Sequence, residues 1–146
     1  MAPRHQAREL VVRVLFQLEL QPGDWREPLA YHLQEAGPGV DRKFAEELLA
    51  GATSHLSEID EAISQSSTHW PLDQMGALER AVLRVGAEEL CWRRREPVAV
   101  SIDEAVRLAK QLAGEDAGRF VNGVLGNLAR TRAHSDEGAG AGPPSR

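Results

Sequence analysis

The side chains best suited to chemistry lie near the two ends of the chain. Arg119, Phe120 and Asn122 bring a cation, an aromatic ring and an amide to the polar side of one helical pattern, just after its first residues. A plain core helix has no need of them there. Near the other end Arg4 and Arg8 are four positions apart, so a helix places them on one face with His5 close by. That face is either solvated surface or an anion-binding ridge. Cations at a helix N-terminus oppose the macrodipole, which favours a functional reason for them. A third basic run, Arg93-Arg94-Arg95, can hold phosphate, or it can simply sit well at the negative end of the helix before it.

Other chemistries find no support. The histidines His5, His32, His55, His69 and His134 form no HxxxH or HExxH pair, so a helical metal site is not expected. There is no GxxxxGK phosphate loop and no GxSxG elbow. Glu46-Glu47 and Glu88-Glu89 are adjacent in sequence, share no helix face, and read as ordinary surface residues. Cys91 sits beside Trp92 and the arginine run, where its thiol could be acidified, but it has no placed base and reads as inert. With one cysteine the chain can form no internal disulfide and no cysteine-based zinc site. Nothing in it reads as an enzyme, and no cofactor is expected.

The elements that must position these residues follow from periodicity. Hydrophobic residues make up 42% of the 146 residues and aromatics 5%, which suits an aliphatic helical core. Ala7, Leu10, Val11, Val14, Leu15 and Leu18 predict a helix over 4–20. A short helix is expected over 26–35. Another follows Asp41 as cap, with Phe44, Ala45, Leu48, Leu49 and Ala52 inward. Gly51 weakens that helix unless a close helix–helix contact requires it. Ser57 is placed to cap the next helix, which ends before Pro71. Asp73 is expected to open the longest and central helix, about 74–93. Ser101 and Glu104 have capping-box spacing, Gly114 can close the helix they open, and Asp116 can cap the one that follows. Its inward face is Val121, Val124, Leu125 and Leu128. The expectation is an all-α bundle of about seven helices filling residues 1–132, followed by a disordered Gly/Pro-rich tail over 133–146.

The net charge of −5 argues against indiscriminate polyanion binding and leaves room for a local basic patch. Lys43 and Lys110 are the only lysines. The arginine bias fits bidentate phosphate recognition, though a high-GC genome would produce it as well. The N-terminal segment has no long apolar run, so neither a signal peptide nor a membrane span is expected, and the chain reads as cytoplasmic.

Several ordered motifs carry a resemblance. Ala7-Arg8-Glu9-Leu10, Phe44 with Leu48-Leu49-Ala50-Gly51, Trp70-Pro71-Leu72, and Leu78-Glu79-Arg80-Ala81-Val82-Leu83-Arg84 come in turn. Glu89-Leu90 and Pro97 follow, then Ile102-Asp103-Glu104-Ala105-Val106, Ala109-Lys110 and Phe120-Val121-Asn122-Gly123-Val124-Leu125. Across roughly residues 3–130 the chain resembles the NusB family of bacterial transcription antitermination factors. The resemblance implies seven helices in two small subdomains. It implies binding of a boxA-type single-stranded RNA in ribosomal RNA leader transcripts, together with a small-subunit ribosomal protein (NusE). Other Nus factors and RNA polymerase are implied partners, and some members of the family form homodimers.

With RNA as the implied ligand, the polar residues near the two ends of the chain acquire roles. Phe120 can stack on a base, or else pack as a core ring under the first helix. Asn122 and Gln6 can read base edges, and Arg4, Arg8 and Arg119 can hold phosphates. Asp116 can accept from a base amino group, cap its helix, or do both. The expected groove has Arg119, Phe120 and Asn122 on one wall and the start of the first helix on the other. His5 and Gln6 stand where relatives often carry more cations, which predicts weak RNA binding without the ribosomal protein. Two rival readings are a helical adaptor that binds only protein and a stand-alone relative of the RNA-binding extension of ribosomal RNA cytosine methyltransferases.

Overall fold

Apolar residues recur at helical spacing along almost the whole chain, and the computed structural model turns that pattern into helices. It describes the backbone of residues 3–141 and the side chains of residues 3–132. Among the described residues there are seven α-helices and no strand: α1 (Pro3–Leu20), α2 (Arg26–Ala36), α3 (Arg42–Ser54), α4 (Leu56–Ser66), α5 (Ala77–Glu88), α6 (Val98–Ala113) and α7 (Glu115–Ala141). The expected tail straddles the limit of description: residues 142–146 lie outside the described residues, and the backbone of 133–141 continues α7.

α5 is the central helix, as its pattern predicts. It packs against α1, α3, α4, α6 and α7. Residues 81–83 and 85–90 are all buried, so this part of the chain is enclosed on every side. Only a helix hydrophobic nearly all round survives there without cost. Two of the enclosed residues are Glu88 and Glu89, 1% and 5% exposed. The expectation that they are ordinary surface residues is wrong. Each has a different partner in the core.

Helix starts depart most from expectation. The helix of 74–93 is three pieces: a 3-10 turn over Leu72–Gln74, α5, and a π turn over Glu89–Arg93. The break comes at Gly76, whose backbone is extended (φ −63°, ψ 146°), and the Glu79 carboxylate accepts from its N–H at 3.0 Å. α6 begins at Val98 behind Pro97, not at Ser101. Proline lacks the N–H that a helix start leaves unpaired, so it fits ahead of a first turn. Ser101 is instead buried one turn in, with its hydroxyl 3.4 Å from Glu89 Oε1. α4 starts at Leu56 after a kink at His55, with Ser57 already inside it and no side-chain cap. Asp41 does cap α3, accepting from Phe44 N–H at 3.1 Å. Gly114 ends α6 at φ +100°, a conformation glycine adopts freely.

The close approach that Gly51 calls for is present. A Cβ there would fall 2.0 Å from a carboxylate oxygen of Glu88. The missing side chain lets α3 and α5 meet over a buried acid.

Candidate nucleic-acid interface

The start of α1 is docked, not displayed. The Arg8 side chain is 3% exposed and makes a two-pronged bond to Glu89, Nε to Oε2 at 2.7 Å and Nη2 to Oε1 at 2.8 Å. Glu96 accepts from the same guanidinium, and Glu104 lies 3.9 Å away. Burial works against the charge of Arg8, but the hydrogen bonds and charge of Glu89, with Glu96 and Glu104 behind, outweigh it and raise the pKa above its ordinary value. His5 is buried too, with Nδ1 at 2.5 Å from Glu104 and Nε2 at 3.2 Å from Gln111. Together these residues pin α1 to the π turn and α6.

The anion-binding ridge of Arg4 and Arg8 therefore does not form. Only Arg4 keeps substantial exposure, and it lies 3.6 Å from both Asp41 and Glu96 with its guanidinium 4.8 Å above the Phe44 ring. Gln6 is half-buried beside Gly39.

The start of α7 is the reverse. Arg119 and Asn122 are exposed, Phe120 is half-buried, and Asp116 is almost fully solvated. Asp116 lies inside the first turn, because the helix opens with Gly118 N–H donating to Gly114 carbonyl at 3.2 Å, and its carboxylate accepts from Arg119. The inward face is as predicted: Val121, Val124, Leu125 and Leu128 are buried. Phe120 sits at the edge of that face.

No hydrogen bond, ion pair or ring contact joins the two sets of residues. The wall opposite Phe120 is the segment between α4 and α5, not the start of α1. One cleft of about 250 Å³ lies between Phe120 and Asp116 on α7 and Trp70, Met75 and Glu79 across from them. A second, of about 380 Å³, lies on the other side of Phe120 and Trp70 and follows α7 from Arg119 to Arg130. Phe120 and Trp70 border both.

Trp70, His69 and Arg130 carry no site role in the sequence reading. A signal for Arg130 is visible: Arg119, Gly123, Asn127 and Arg130 are spaced so that a helix puts them on one face. Trp70 is 53% exposed, a large ring in solvent directly before a proline. The Arg93–Arg95 run turns toward α3, where Glu47 accepts from Arg93 at 2.6 Å and lies 3.2 Å from Arg95. Among the described residues there is no group of acids, histidines and cysteine that could hold a metal, and no helix is long and apolar enough to cross a membrane.

Comparison with known proteins points one way. The NusB family matches residues 5–130. A transcription antitermination protein NusB of Exiguobacterium sp. is 39% identical over 127 residues, covering 86% of this chain and 95% of the relative. One from Sorangium cellulosum is 39% identical over 137 residues, covering 93% and 98%. A crystal structure of antitermination factors NusB and NusE in complex with double-stranded RNA superposes with a TM-score of 0.82 at 29% identity, covering 90% of this chain and 98% of that one.

Proposed function

The chain belongs to the NusB family, and on that premise we propose that it is a transcription antitermination factor that binds boxA-type single-stranded RNA of ribosomal RNA leader transcripts. It does so jointly with the small-subunit ribosomal protein NusE, and the complex joins other Nus factors on RNA polymerase to suppress termination and support ribosomal RNA synthesis. Its work is binding, not catalysis. The observation that carries this reading is the start of α7: a half-buried ring at the mouth of two clefts, flanked by an exposed guanidinium and an exposed amide. Unpaired bases are recognised by that combination of stacking, edge hydrogen bonds and phosphate contacts.

Phe120 supplies the stacking face. Its inner edge is held by the core, so the ring is already oriented when a base arrives. Asn122 reads a base edge and Arg119 holds a phosphate. Asp116 accepts from a base amino group or keeps Arg119 in place. Arg4 adds a phosphate contact and Gln6 an edge contact from α1. Arg8 moves from contact to scaffold, because its donors face Glu89 and Glu96.

The test is a titration with boxA-type RNA, with and without NusE. Phe120→Ala should lose about 1–3 kcal/mol of binding, the value of one base on an aromatic ring, while keeping NusE. Unchanged RNA affinity in that variant overturns the assignment of Phe120. No RNA binding even with NusE present leaves a protein adaptor.

A further inference from the structure

Two clefts leave Phe120 in different directions, and their linings differ in charge. The cleft toward α5 carries Glu79 and Asp116. Among the described residues the cleft along α7 has no carboxylate in its lining, although the chain as a whole is acidic. It has Arg119, Arg130 and His69, the Asn127 amide, and the rings of Trp70 and Phe120. The start of α1 lies in a third direction, where Asp41, Glu89, Glu96 and Glu104 hold Arg4, Arg8 and His5 and leave Arg4 and Gln6 to meet the other end of the strand.

We propose that the RNA strand stacked on Phe120 runs along α7 toward Arg130, with Trp70 as a second stacking ring and Arg119, His69 and Arg130 on its phosphates. This rests on the RNA-binding reading above and adds the path and its residues. Charge favours the path, because among the described residues its lining is cationic and holds no carboxylate, and the acid beside it, Asp116, is solvated and pairs with Arg119 within its own turn. Length agrees with it. Arg119 and Arg130 are three helical turns apart on one face, roughly 16 Å along the axis. That spans about four to five phosphates at the 3.4 Å spacing of a stacked strand. Neither arginine is locked away. Arg119 is held by Asp116 within its own helix turn and Arg130 by Asn127, and both are exposed. Trp70 is half in solvent, so a base can reach it.

The experiment uses the full chain with boxA-type single-stranded RNA. Trp25→Phe and Trp92→Phe leave Trp70 as the only fluorescent indole. RNA should quench Trp70 emission. Trp70→Ala should weaken RNA binding about fivefold to a hundredfold, the range for one stacked base. Arg130→Ala should weaken it and lower the slope of log K against log salt by about 0.7, the loss of one single-strand phosphate contact. Both sites are exposed, so the variants should keep wild-type circular dichroism, and NusE binding is measured beside RNA binding. If Trp70→Ala and Arg130→Ala bind RNA like the wild type while Phe120→Ala does not, the strand leaves Phe120 by another route; the path is wrong and the RNA reading stands. If Trp70→Ala loses NusE but keeps RNA, the cleft is a protein-docking site and the proposal is overturned. If the wild type binds no RNA even with NusE, the RNA reading itself has failed.

Discussion

The guanidinium of Arg8 lies one helical turn from that of Arg4, and the two do different work. Arg8 is enclosed by Glu89, Glu96 and Glu104, while Arg4 keeps a solvated side. Truncating one partner of a buried pair leaves the other charged and unpaired, which costs about 3–5 kcal/mol. Arg8→Ala should therefore lower the urea midpoint by that much stability while leaving the salt slope of RNA binding unchanged. A lower slope in a still-folded Arg8→Ala protein would show that Arg8 touches phosphate after all. Glu88 presents the opposite case, a buried acid whose partner is a histidine. Its Oε1 lies 2.8 Å from His55 Nδ1, and the His55 ring stacks on Trp92 at 4.2 Å. Burial raises the Glu88 pKa, opposed by the His55 hydrogen bond and the charge of Arg93. A raised carboxyl contributes stability that is complete below its unfolded value near 4.5 and is lost as pH rises through the folded value. Glu19 has the other sign. The Arg80 hydrogen bond at 2.6 Å lowers its pKa, so its contribution is present above 4.5 and is lost as pH falls through the folded value. Denaturation across a pH series should thus show Glu88→Gln gaining on the wild type as pH rises from 4.5 toward neutral. A difference that stays flat over that range would mean that Glu88 titrates normally. Neither pairing could be read from sequence, because Arg8 and Glu89 are distant along the chain and only the docking of α1 on the π turn makes them neighbours.

At the scale of elements, apolar periodicity located all seven helices and the central place of α5, and helix starts were where it misled. The reason is physical. A helix interior is specified by side chains within a few residues of each other, whereas a start is specified by whichever group reaches the free N–H donors first. Pro97 took that place ahead of Ser101, and Gly76 with Glu79 took it ahead of Asp73. The site at the start of α7 was legible because its residues are local. The wall facing it was not, since packing between α4 and α7 and not sequence spacing brings residues 66–70 beside Phe120. Gly51 belongs to this scale, because it concerns how near α3 and α5 can come. On propensity alone alanine would strengthen α3 by about 1 kcal/mol. Here the added Cβ would meet Glu88 at 2.0 Å, and that carboxylate is 1% exposed and hydrogen-bonded to His55. Gly51→Ala should therefore destabilise the protein by about 1–3 kcal/mol, as overpacking does. Adding Glu88→Ala should remove most of that penalty. A thermally stabilised Gly51→Ala protein would show that the helices are free to move apart.

The whole molecule carries a net charge of −5, yet its proposed ligand is a polyanion, and the two are reconciled by where the charge lies. Carboxylates collect around the start of α1 and line the cleft toward α5, while the cleft along α7 has none in its lining among the described residues. Long-range repulsion between the protein and RNA fades with salt over a Debye length of about 8 Å at physiological ionic strength, and so does the attraction of the few exposed arginines. The isolated chain should accordingly bind boxA-type RNA weakly, and each real phosphate contact should contribute about 0.7 to the salt slope. Arg119→Ala removes a cation whose carboxylate partner among the described residues is solvated Asp116, whereas Arg4 lies within 3.6 Å of both Asp41 and Glu96. Arg119→Ala should therefore reduce both affinity and slope more than Arg4→Ala. On the proposed reading, NusE should raise RNA affinity in every variant. Filter binding or fluorescence anisotropy at several salt concentrations, with and without NusE, reads all of these quantities. If Arg4→Ala and Arg119→Ala leave the slope of the isolated chain unchanged, the charged contacts to RNA come from NusE, and this chain contributes stacking and shape alone.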